Sequence, residues 1–412
     1  MLTTVPYTRD LVLVGGGHAH ALVLKSWGMD PLFGARLTVI NPGPMAPYTG
    51  MLPGYVAGHY KRDEIEIDLV RLCRHAGARL IFDKVDGIDR INQELLLEGR
   101  GPVAYDVASF DVGLTSKMDL PGLAEYGTGA KPLDAYAANW HKFLHQVSQG
   151  ELAPKVAVIG GGFSGCELAM AMAFAIKSIG VKPSVTLIEN SSYISGGGNT
   201  QRKILAAMES LEISVKTGVK VSEICLDRVI LEGQPPVMAA FCVSAMGGAA
   251  HDWITQTDLP QKKGFIEING QLGVVGDETL FAVGDCAVMA HAVRAKAGVF
   301  AVRAAPILHY NMRAALTGGI RKTWYPQKNY LKLISLGGQS AIAEKFGLSL
   351  KTKFMWRWKD RIDKIFMERL NDLPEMVIPK PDGQLAVGAL EILGAKPLCG
   401  GCGAKVGRGV LS

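Results

Sequence analysis

The sequence predicts an α/β fold with two Rossmann-like dinucleotide-binding domains and a smaller α+β C-terminal region. Two glycine-rich turns of the same type lie about 145 residues apart, and a Gly-Asp pair follows further on. Each turn follows a short apolar, β-branched run and precedes a helix-like stretch, which is the context in which such a turn binds a pyrophosphate. The three segments are Gly15-Gly16-Gly17-His18-Ala19-His20, Gly160-Gly161-Gly162-Phe163-Ser164-Gly165 and Gly284-Asp285.

The composition indicates a multidomain globular protein. The chain has 412 residues, of which 48% are hydrophobic and 20% charged, enough for two or three domains. The net charge of +6 comes without a long basic tract, which disfavours nucleic acid and favours anionic ligands. Seven cysteines at irregular spacing, with no N-terminal signal pattern, predict a cytoplasmic location. The apolar stretch 156–176 contains the second turn and Glu167, so we expect strand, turn and helix there rather than a membrane span.

The order of expected elements supports two βαβ units. Residues 10–41 follow the order strand, turn, helix, strand, and a loop dense in Pro and Gly covers 41–54. The second unit begins after Pro154, and its second strand ends at Glu189. Further strands are expected at 79–82, 95–97, 105–111, 213–215, 229–231, 241–245, 264–268, 280–285 and 330–336, with helices at 69–76, 131–150 and 356–370.

The second turn carries the complete Gly-x-Gly-x-x-Gly pattern, and Glu189 closes the strand after it. An acidic side chain at that place accepts hydrogen bonds from ribose hydroxyls and repels a 2′-phosphate, which predicts NADH rather than NADPH. The first turn is incomplete, because His20 stands where the third glycine belongs and Asn41 where the acid belongs. A glycine turn before a helix also arises for conformational reasons alone.

The Gly284-Asp285 pair supports a cofactor role for the first turn. A carboxylate at that spot can hold a flavin's ribitol hydroxyl while the following helix N-terminus faces the pyrophosphate. The alternative interpretation of Asp285 is a turn or N-cap aspartate.

With these motifs the chain resembles the flavoprotein pyridine-nucleotide oxidoreductases of glutathione reductase-like fold, and among them type II NADH dehydrogenase-like proteins. The resemblance covers about residues 8–370. It implies an FAD-binding domain at 1–125 and 271–325, an NAD(H)-binding domain at 150–270, a C-terminal region at 326–395 and a tail at 396–412.

The resemblance also implies roles for individual residues, and it implies no metal. The FAD contacts would be Gly15, Gly16, Gly17, His18, Ala19, Asn41, Gly284 and Asp285, with Pro47 and Tyr48 of the loop 47–54 near the flavin ring. The NADH contacts would be Gly160, Gly162, Phe163, Ser164, Gly165 and Glu189. Glu167 would lie near the nicotinamide as the candidate catalytic residue, and Gly113 and Gly247 would be the turns where the chain crosses between domains.

The departures from the family pattern matter for the acceptor. No Cys-x-x-x-x-Cys or Cys-x-x-Cys follows the first unit, so the redox-active disulfide of the disulfide reductases is missing. We expect Cys73, Cys166, Cys225 and Cys242 to be ordinary buried cysteines. Sulfide:quinone reductases are similar too, but their cysteine set cannot be placed on this chain. Quinone-reducing relatives carry a glutamine-bearing helix after the Gly-Asp element, and residues 297–303 hold no glutamine.

The predicted C-terminal helix carries an apolar stripe, formed by Trp358, Ile362, Ile365 and Phe366 among Lys and Arg residues. Such a stripe packs on its own protein or on the partner in a homodimer, or it docks at a membrane interface.

The last residues, 398–407, resemble the start of selenophosphate synthetase (selenide, water dikinase). On that match Cys402 is its reactive cysteine, Lys405 its catalytic lysine, and Ala404 replaces a second cysteine. The match implies the flavoprotein part of a covalent fusion to that enzyme. The alternative is a disordered glycine-rich terminus, in which the role of Cys399 and Cys402 stays open.

Three functions follow as expectations. The first is an FAD-dependent NADH oxidoreductase that passes hydride from NADH to FAD and on to a small-molecule acceptor, for which the tail suggests an oxidised selenium compound. The second is a peripheral NADH:quinone oxidoreductase at the inner face of the membrane. The third is a nucleotide-binding redox sensor or scaffold flavoprotein.

Overall fold

Two parallel five-stranded sheets, each covered by helices, form the core of the molecule. The computed structural model describes residues 6–374 apart from Ala290 and Val293. The predicted α/β class with two Rossmann-like units is confirmed.

The first sheet is built around the strand that precedes the first glycine turn. Its strands run parallel in the edge-to-edge order Leu280–Ala282, Val107–Phe110, Arg9–Val14, Ala35–Asn41 and Arg79–Phe82. Leu11, Val12 and Leu13 are fully buried, as expected for a strand covered on both faces. The helices His18–Met29, Leu69–Ala76 and Gly298–Thr317 accompany this sheet, the first packing against the other two.

The second sheet repeats the arrangement around the second turn. Its parallel strands are, in order, Thr128–Gly129, Phe241–Ser244, Lys155–Ile159, Ser184–Glu189 and Ser214–Thr217. Its helices are Leu133–Ser148, Phe163–Ser178 and Asn199–Ser210. Across the described part of the chain, no helix is both long and apolar enough to cross a membrane.

Smaller elements connect and extend these two units. The small sheets comprise Val85–Asp89, Glu94–Leu97 and Val103–Ala104; Val221–Ile224, Arg228–Leu231 and Gln234–Met238; Gln261–Lys262, Phe265–Ile268 and Ala287–Met289; Met45–Pro47 with Glu66–Asp68; and Thr115–Ser116 with Gly248–Ala249. The short helices are Leu52–Val56, Leu123–Tyr126 and Asp252–Thr255, with 3₁₀ turns at Thr49–Met51, Asp63–Ile65 and Gly284–Cys286.

The C-terminal region is an antiparallel sheet followed by one long helix. The strands are Lys332–Leu336, Gly338–Lys345 and Leu348–Thr352, and the helix is Lys353–Asn371. Thr352 caps the helix, because its hydroxyl oxygen accepts the Met355 N–H at 3.0 Å. The helix also reaches the first unit, where the Tyr60 hydroxyl donates to Asp360 Oδ1 at 2.8 Å. Further contacts of the helix, from Lys359 to Gly50 and from Tyr48 to Asp363, place it over the loop 47–54.

Two expectations need correction. Cys73, Cys166 and Cys242 are buried as predicted, but Cys225 is partly exposed beside the turn that connects two short strands. The expected apolar stripe of the C-terminal helix is divided. Phe366 points inward and stacks on Tyr48, with ring centroids 4.7 Å apart, whereas Trp358, Ile362 and Ile365 are exposed.

Candidate active site

The first glycine turn joins the central strand of the first sheet to a helix. Gly15 has a φ of +87°, and a Cβ there would lie 2.6 Å from the Asp111 carbonyl oxygen, so only glycine fits. Gly17 is the N-cap of the helix that begins at His18. The Gly16 N–H donates to Asn41 Oδ1 at 2.9 Å. Asn41 therefore holds the shape of the turn through its side-chain oxygen.

His20, the departure from the third glycine, is buried and hydrogen-bonded at both ring nitrogens. Nδ1 lies 2.7 Å from the Gly15 carbonyl oxygen and Nε2 lies 2.8 Å from Ser109 Oγ. Burial lowers the pKa of His20 to about 4, so the ring is neutral. Because a carbonyl only accepts, Nδ1 carries the proton and Nε2 accepts from the Ser109 hydroxyl. His20 thus ties the turn to the neighbouring strand where a glycine would only allow close approach.

Asp111 is a site residue that the sequence analysis missed. Its Oδ2 accepts the Ala19 N–H at 2.9 Å and the His20 N–H at 3.2 Å, at the start of the first helix. Its carboxylate fills the space beside Gly17 and Gly284, since a Cβ on either glycine would come within 2.6 Å of it. Burial is the main cause that raises the pKa of Asp111 to about 7, and the two N–H donors oppose it. The pattern that signals it is an acid directly after a buried strand beside the fingerprint strand.

The Gly284-Asp285 element lies at the same edge of the first sheet, immediately after the strand that pairs with Val107–Phe110. Gly284 has a φ of +72°. Asp285 Oδ2 lies 3.5 Å from Lys131 Nζ, a partly exposed ion pair. The structure therefore brings Gly284 and Asp285 to the first turn, more than 260 residues away in sequence.

The second glycine turn has the tighter geometry. Gly160 has a φ of +108°, and a Cβ on Gly165 would lie 1.9 Å from the Gly160 carbonyl oxygen. Gly162 caps the helix that Phe163 and Ser164 open, and a Cβ there would meet nothing within 4 Å. Gly165 is therefore required for packing, whereas Gly162 leaves open space in front of the helix N-terminus.

Glu189 closes the second turn from the next strand. Its Oε2 accepts the Gly161 N–H at 2.5 Å, and its Oε1 accepts the Ser191 N–H at 2.7 Å. Burial alone would raise the pKa of Glu189, but the N–H groups of Ser191 and Gly161 outweigh it and hold the pKa below its usual range. The carboxylate is therefore ionised at neutral pH.

Glu167 projects from the second fingerprint helix toward the C-terminal region. Its Oε1 accepts the Ser335 N–H at 2.8 Å. Although part of the residue is exposed, the carboxylate lies among protein atoms, and this burial raises its pKa to about 7. Lys359 lowers the pKa and Asp363 raises it. Glu167 is thus a carboxylate that can exchange a proton near neutral pH.

A second group that sequence reasoning missed lies on the C-terminal helix and faces the loop 47–54. Lys359 Nζ donates to Asp363 Oδ2 at 2.6 Å and to the Gly50 carbonyl at 2.7 Å. The Tyr48 hydroxyl donates to Asp363 Oδ1 at 2.9 Å. Burial raises the pKa of both Asp363 and Tyr48. Tyr48, Lys359 and Asp363 are called the polar cluster below.

The polar cluster adjoins the first turn on one side and Glu167 on the other. The His18 ring lies 5.1 Å from the Tyr48 ring, and the Pro47 backbone carbonyl accepts a hydrogen bond from the His18 ring. Burial lowers the pKa of His18 to about 4, so it is neutral. Residues from the first unit, the second unit and the C-terminal region therefore meet here.

Gly113 and Gly247 flank the two chain segments that pass between the units. Gly113 has a φ of +67°, and the strands that follow the two glycines, Thr115–Ser116 and Gly248–Ala249, pair with each other. His251 Nε2 lies 3.0 Å from the Val112 carbonyl oxygen and joins the same two segments. These contacts fix the segments side by side.

Both turns have the features that a dinucleotide requires. Each lies at the carboxyl end of a central parallel strand and opens a helix whose first N–H groups have no partner within that helix. Glycines at positive φ bring the backbone close, and the open space at Gly162 gives a phosphate access to the second helix. The residues of this chain therefore fit a dinucleotide at each of the two turns.

Comparison with known proteins identifies the class. The family model described as pyridine nucleotide-disulphide oxidoreductase matches residues 9–301, well over half of the chain. The chain belongs to this family. The predicted class, an FAD-dependent NADH oxidoreductase with FAD and NADH as cofactors, is confirmed.

Individual relatives are distant. The chain is 23% identical over 297 residues to the NADH dehydrogenase-like protein YutJ of Bacillus subtilis, covering 70% of this chain and 79% of that protein. It is 28% identical over 235 residues to the demethylphylloquinone reductase NdbB of Synechocystis, covering 54% of this chain and 57% of that protein.

Solved structures show the same fold. The sulfide:quinone oxidoreductase from Aquifex aeolicus superposes with a TM-score of 0.74 at 16% identity, covering 89% of this chain and 92% of that one. NDH2 from Plasmodium falciparum in complex with NADH superposes with a TM-score of 0.74 at 14% identity, covering 89% and 99%.

Proposed function

We propose that this chain oxidises NADH through bound FAD and passes the electrons to a quinone at a membrane surface. The observation that carries the first half of the proposal is the second turn, where an ionised Glu189 closes a complete fingerprint. The exposed apolar face of the C-terminal helix carries the second half. FAD, when bound, supplies the redox chemistry by accepting hydride from a nicotinamide and releasing electrons to an acceptor.

We assign FAD to the first sheet and NADH to the second. On this assignment residues 1–125 and 271–325 form the FAD-binding domain, 150–270 the NAD(H)-binding domain and 326–395 a C-terminal region. The first turn with His18, Ala19, Gly284 and Asp285 would hold FAD, with Pro47 and Tyr48 next to its ring. Phe163 and Ser164 would offer backbone N–H groups to the NADH pyrophosphate.

Glu167 is proposed to position the nicotinamide. It is the acidic side chain of the second fingerprint helix that reaches the junction of the three regions, where the Ser335 N–H fixes one of its oxygens. The other oxygen is then available to a ligand amide. Lys359 and Asp363 set the charge around it. In this role Glu167 orients the ligand and does not need to transfer a proton in the hydride step.

The acceptor proposal rests on the exposed part of the apolar stripe, extended by Phe354 and without the inward-facing Phe366; the name is used below for the four exposed residues Phe354, Trp358, Ile362 and Ile365. These residues recur at helical spacing, and their exposed fractions are 65%, 41%, 41% and 51%. The adjoining hairpin adds exposed Phe346, Leu348 and Leu350. Exposed cations flank the stripe at Lys351, Lys353, Arg357 and Arg361. An apolar face bordered by cations is the pattern of an interfacial helix on an anionic membrane.

The names of two relatives agree with a quinone acceptor, since one is a demethylphylloquinone reductase and another a sulfide:quinone oxidoreductase. The opposite face of the same helix carries the polar cluster. A lipid-soluble acceptor that partitions at the apolar stripe would therefore be near the loop 47–54.

An oxidised selenium compound stays a second candidate acceptor. Its support is the resemblance of residues 398–407 to the start of selenophosphate synthetase, and Cys399, Cys402 and Lys405 lie outside the described residues. The sensor or scaffold alternative requires nucleotide binding without turnover.

The test is steady-state NADH oxidation with each acceptor in turn, combined with flotation on anionic liposomes. We expect turnover with a quinone in liposomes, and both flotation and quinone turnover reduced by Trp358→Asp but not by the exposed control Leu226→Asp. Turnover with selenium compounds and none with quinones would favour the second candidate. No turnover with any acceptor would favour the sensor.

A further inference from the structure

The helix N-terminus assigned to the FAD pyrophosphate already has an anion on it. The Asp111 carboxylate accepts the N–H groups of Ala19 and His20, two of the first N–H groups of the helix. A dinucleotide pyrophosphate uses the same end of the same helix for the same reason, the unpaired N–H groups and the partial positive charge.

The position of Asp111 shows that the two anions would be close. Its carboxylate lies between Gly17 and Gly284, because a Cβ on Gly17 would be 2.2 Å from its carboxyl carbon and one on Gly284 would be 2.6 Å from Oδ1. Both glycines belong to the proposed FAD site. Asp111 is 4% exposed, so water cannot screen its charge from a ligand at the turn.

We propose that Asp111 is part of the FAD site and that the protein binds FAD together with one proton, which the Asp111 carboxyl carries. Protonation removes the like charge from beside the pyrophosphate and frees the helix N–H groups for it. This inference rests on the proposed placement of FAD at the first turn.

Among the titratable groups around the first turn, Asp111 is the one that can take up a proton near neutral pH. His18 and His20 are neutral, because burial lowers the pKa of each to about 4. The Cys286 thiol is protonated, since burial raises its pKa to about 12. The charge of Asp285 acts on Asp111, and Asp285 is itself paired with Lys131. The charge of Lys296 acts on the neighbouring Cys286 thiol.

The ordinary state of Asp111 already favours proton uptake near neutral pH. Burial raises its pKa to about 7 in the protein without a ligand. A dianion at the same helix end raises it further, so FAD binding above pH 7 must bring a proton with it. One linked proton weakens FAD binding tenfold for each pH unit above that pKa, which amounts to about 30-fold between about pH 6 and pH 8.5.

The experiment measures FAD release from the holoprotein. Protein purified with its flavin is diluted at a series of pH values, and free FAD is separated by ultrafiltration and quantified by fluorescence. We expect the dissociation constant to be flat below about pH 6.5 and to rise about 30-fold by about pH 8.5. Asp111→Asn should give a flat profile. Asp106→Asn, just before the other end of the same strand and partly exposed, should keep the wild-type slope. Thermal unfolding at each pH checks that the protein stays folded.

A flat wild-type profile with FAD bound would overturn the inference alone, as would an Asp111→Asn variant that keeps the wild-type slope. The wild-type profile decides even where the variant does not fold. A chain that holds no FAD at any pH would contradict the proposed function as well.

Discussion

Glu167→Gln should make the protein more stable at alkaline pH and slow the reduction of its flavin by NADH. The variant keeps an oxygen for the Ser335 N–H, removes the charge, and replaces the second oxygen, which the ligand amide would use, with an NH2 group that only donates. Because burial raises the pKa of Glu167 to about 7, the ionised form is less favourable in the folded chain than in the unfolded one. The wild-type protein therefore loses stability as pH rises from the unfolded pKa, near 4.5, through 7.

The size of the effect follows from that displacement of the pKa. A rise from 4.5 to about 7 corresponds to roughly 3 kcal/mol at full burial. Since part of Glu167 is exposed, solvent screening reduces this to about 1–2 kcal/mol. We expect the melting temperature of Glu167→Gln to exceed that of wild type by roughly 2–6 °C at about pH 8 and to equal it at about pH 5.

The assay is thermal unfolding at both pH values with matched FAD occupancy, followed by anaerobic stopped-flow reduction with NADH. Glu209→Gln, an exposed glutamate on the helix Asn199–Ser210, is the matched control and should change neither quantity. A Glu167→Gln variant that is less stable than wild type at both pH values would refute the argument that burial disfavours the ionised form of Glu167. An unchanged rate of flavin reduction would remove its positioning role.

Three further predictions address the turns and the polar cluster. Gly165→Ala should cost about 2–4 kcal/mol of unfolding free energy, because the new Cβ would lie 1.9 Å from the Gly160 carbonyl oxygen. Gly162→Ala should keep the wild-type stability, because its Cβ would meet nothing within 4 Å, and should bind NADH more weakly. Isothermal titration with NADH and chemical denaturation separate the two, and equal stability losses would contradict the distinction. Glu189→Gln should reduce the preference for NADH over NADPH about 10- to 100-fold in kcat/KM, and an unchanged preference would show that Glu189 does not face the ribose. Tyr48→Phe should cost about 1–3 kcal/mol by removing a hydrogen bond to the buried Asp363 carboxylate, measured against Tyr126→Phe, an exposed control; equal losses would argue against the cluster.

The parts of the fold that the sequence predicted are those whose residues form a local sequence pattern. The strand before each turn is a short apolar run, and the turn residues have conformations that only glycine adopts easily, so Gly15 and Gly160 located both βαβ units. The helix at 69–76 was also placed correctly, because Asp68 caps it and Gly77 ends it in the left-handed conformation.

The residues that sequence reasoning missed depend on contacts between distant segments. Asp111 becomes a site residue only because two distant segments converge on it, one carrying Gly17 and Ala19 and the other carrying Gly284. Lys359 and Asp363 belong to a helix for which the sequence pattern indicates only amphipathic character. Their role follows from the packing of this helix on Tyr48 and Gly50, more than 300 residues earlier.

The two departures from the first fingerprint, His20 and Asn41, are explained by hydrogen bonds that the spacing of the glycines does not show. His20 replaces a glycine because its ring bridges the Gly15 carbonyl and Ser109, and Ser109 lies on a strand 89 residues away. Asn41 replaces an acid and still bonds to the turn, as Glu189 does in the second unit.

The most direct test of the proposed function is an anaerobic titration of the purified protein with NADH while the flavin absorption band at ~450 nm is followed. The account predicts a yellow protein whose band bleaches, with a half-maximal NADH concentration that Glu189→Gln raises. A yellow protein that does not bleach would contradict NADH as the electron donor, and a colourless protein that gains no flavin from added FAD would contradict the assignment of FAD to the first turn.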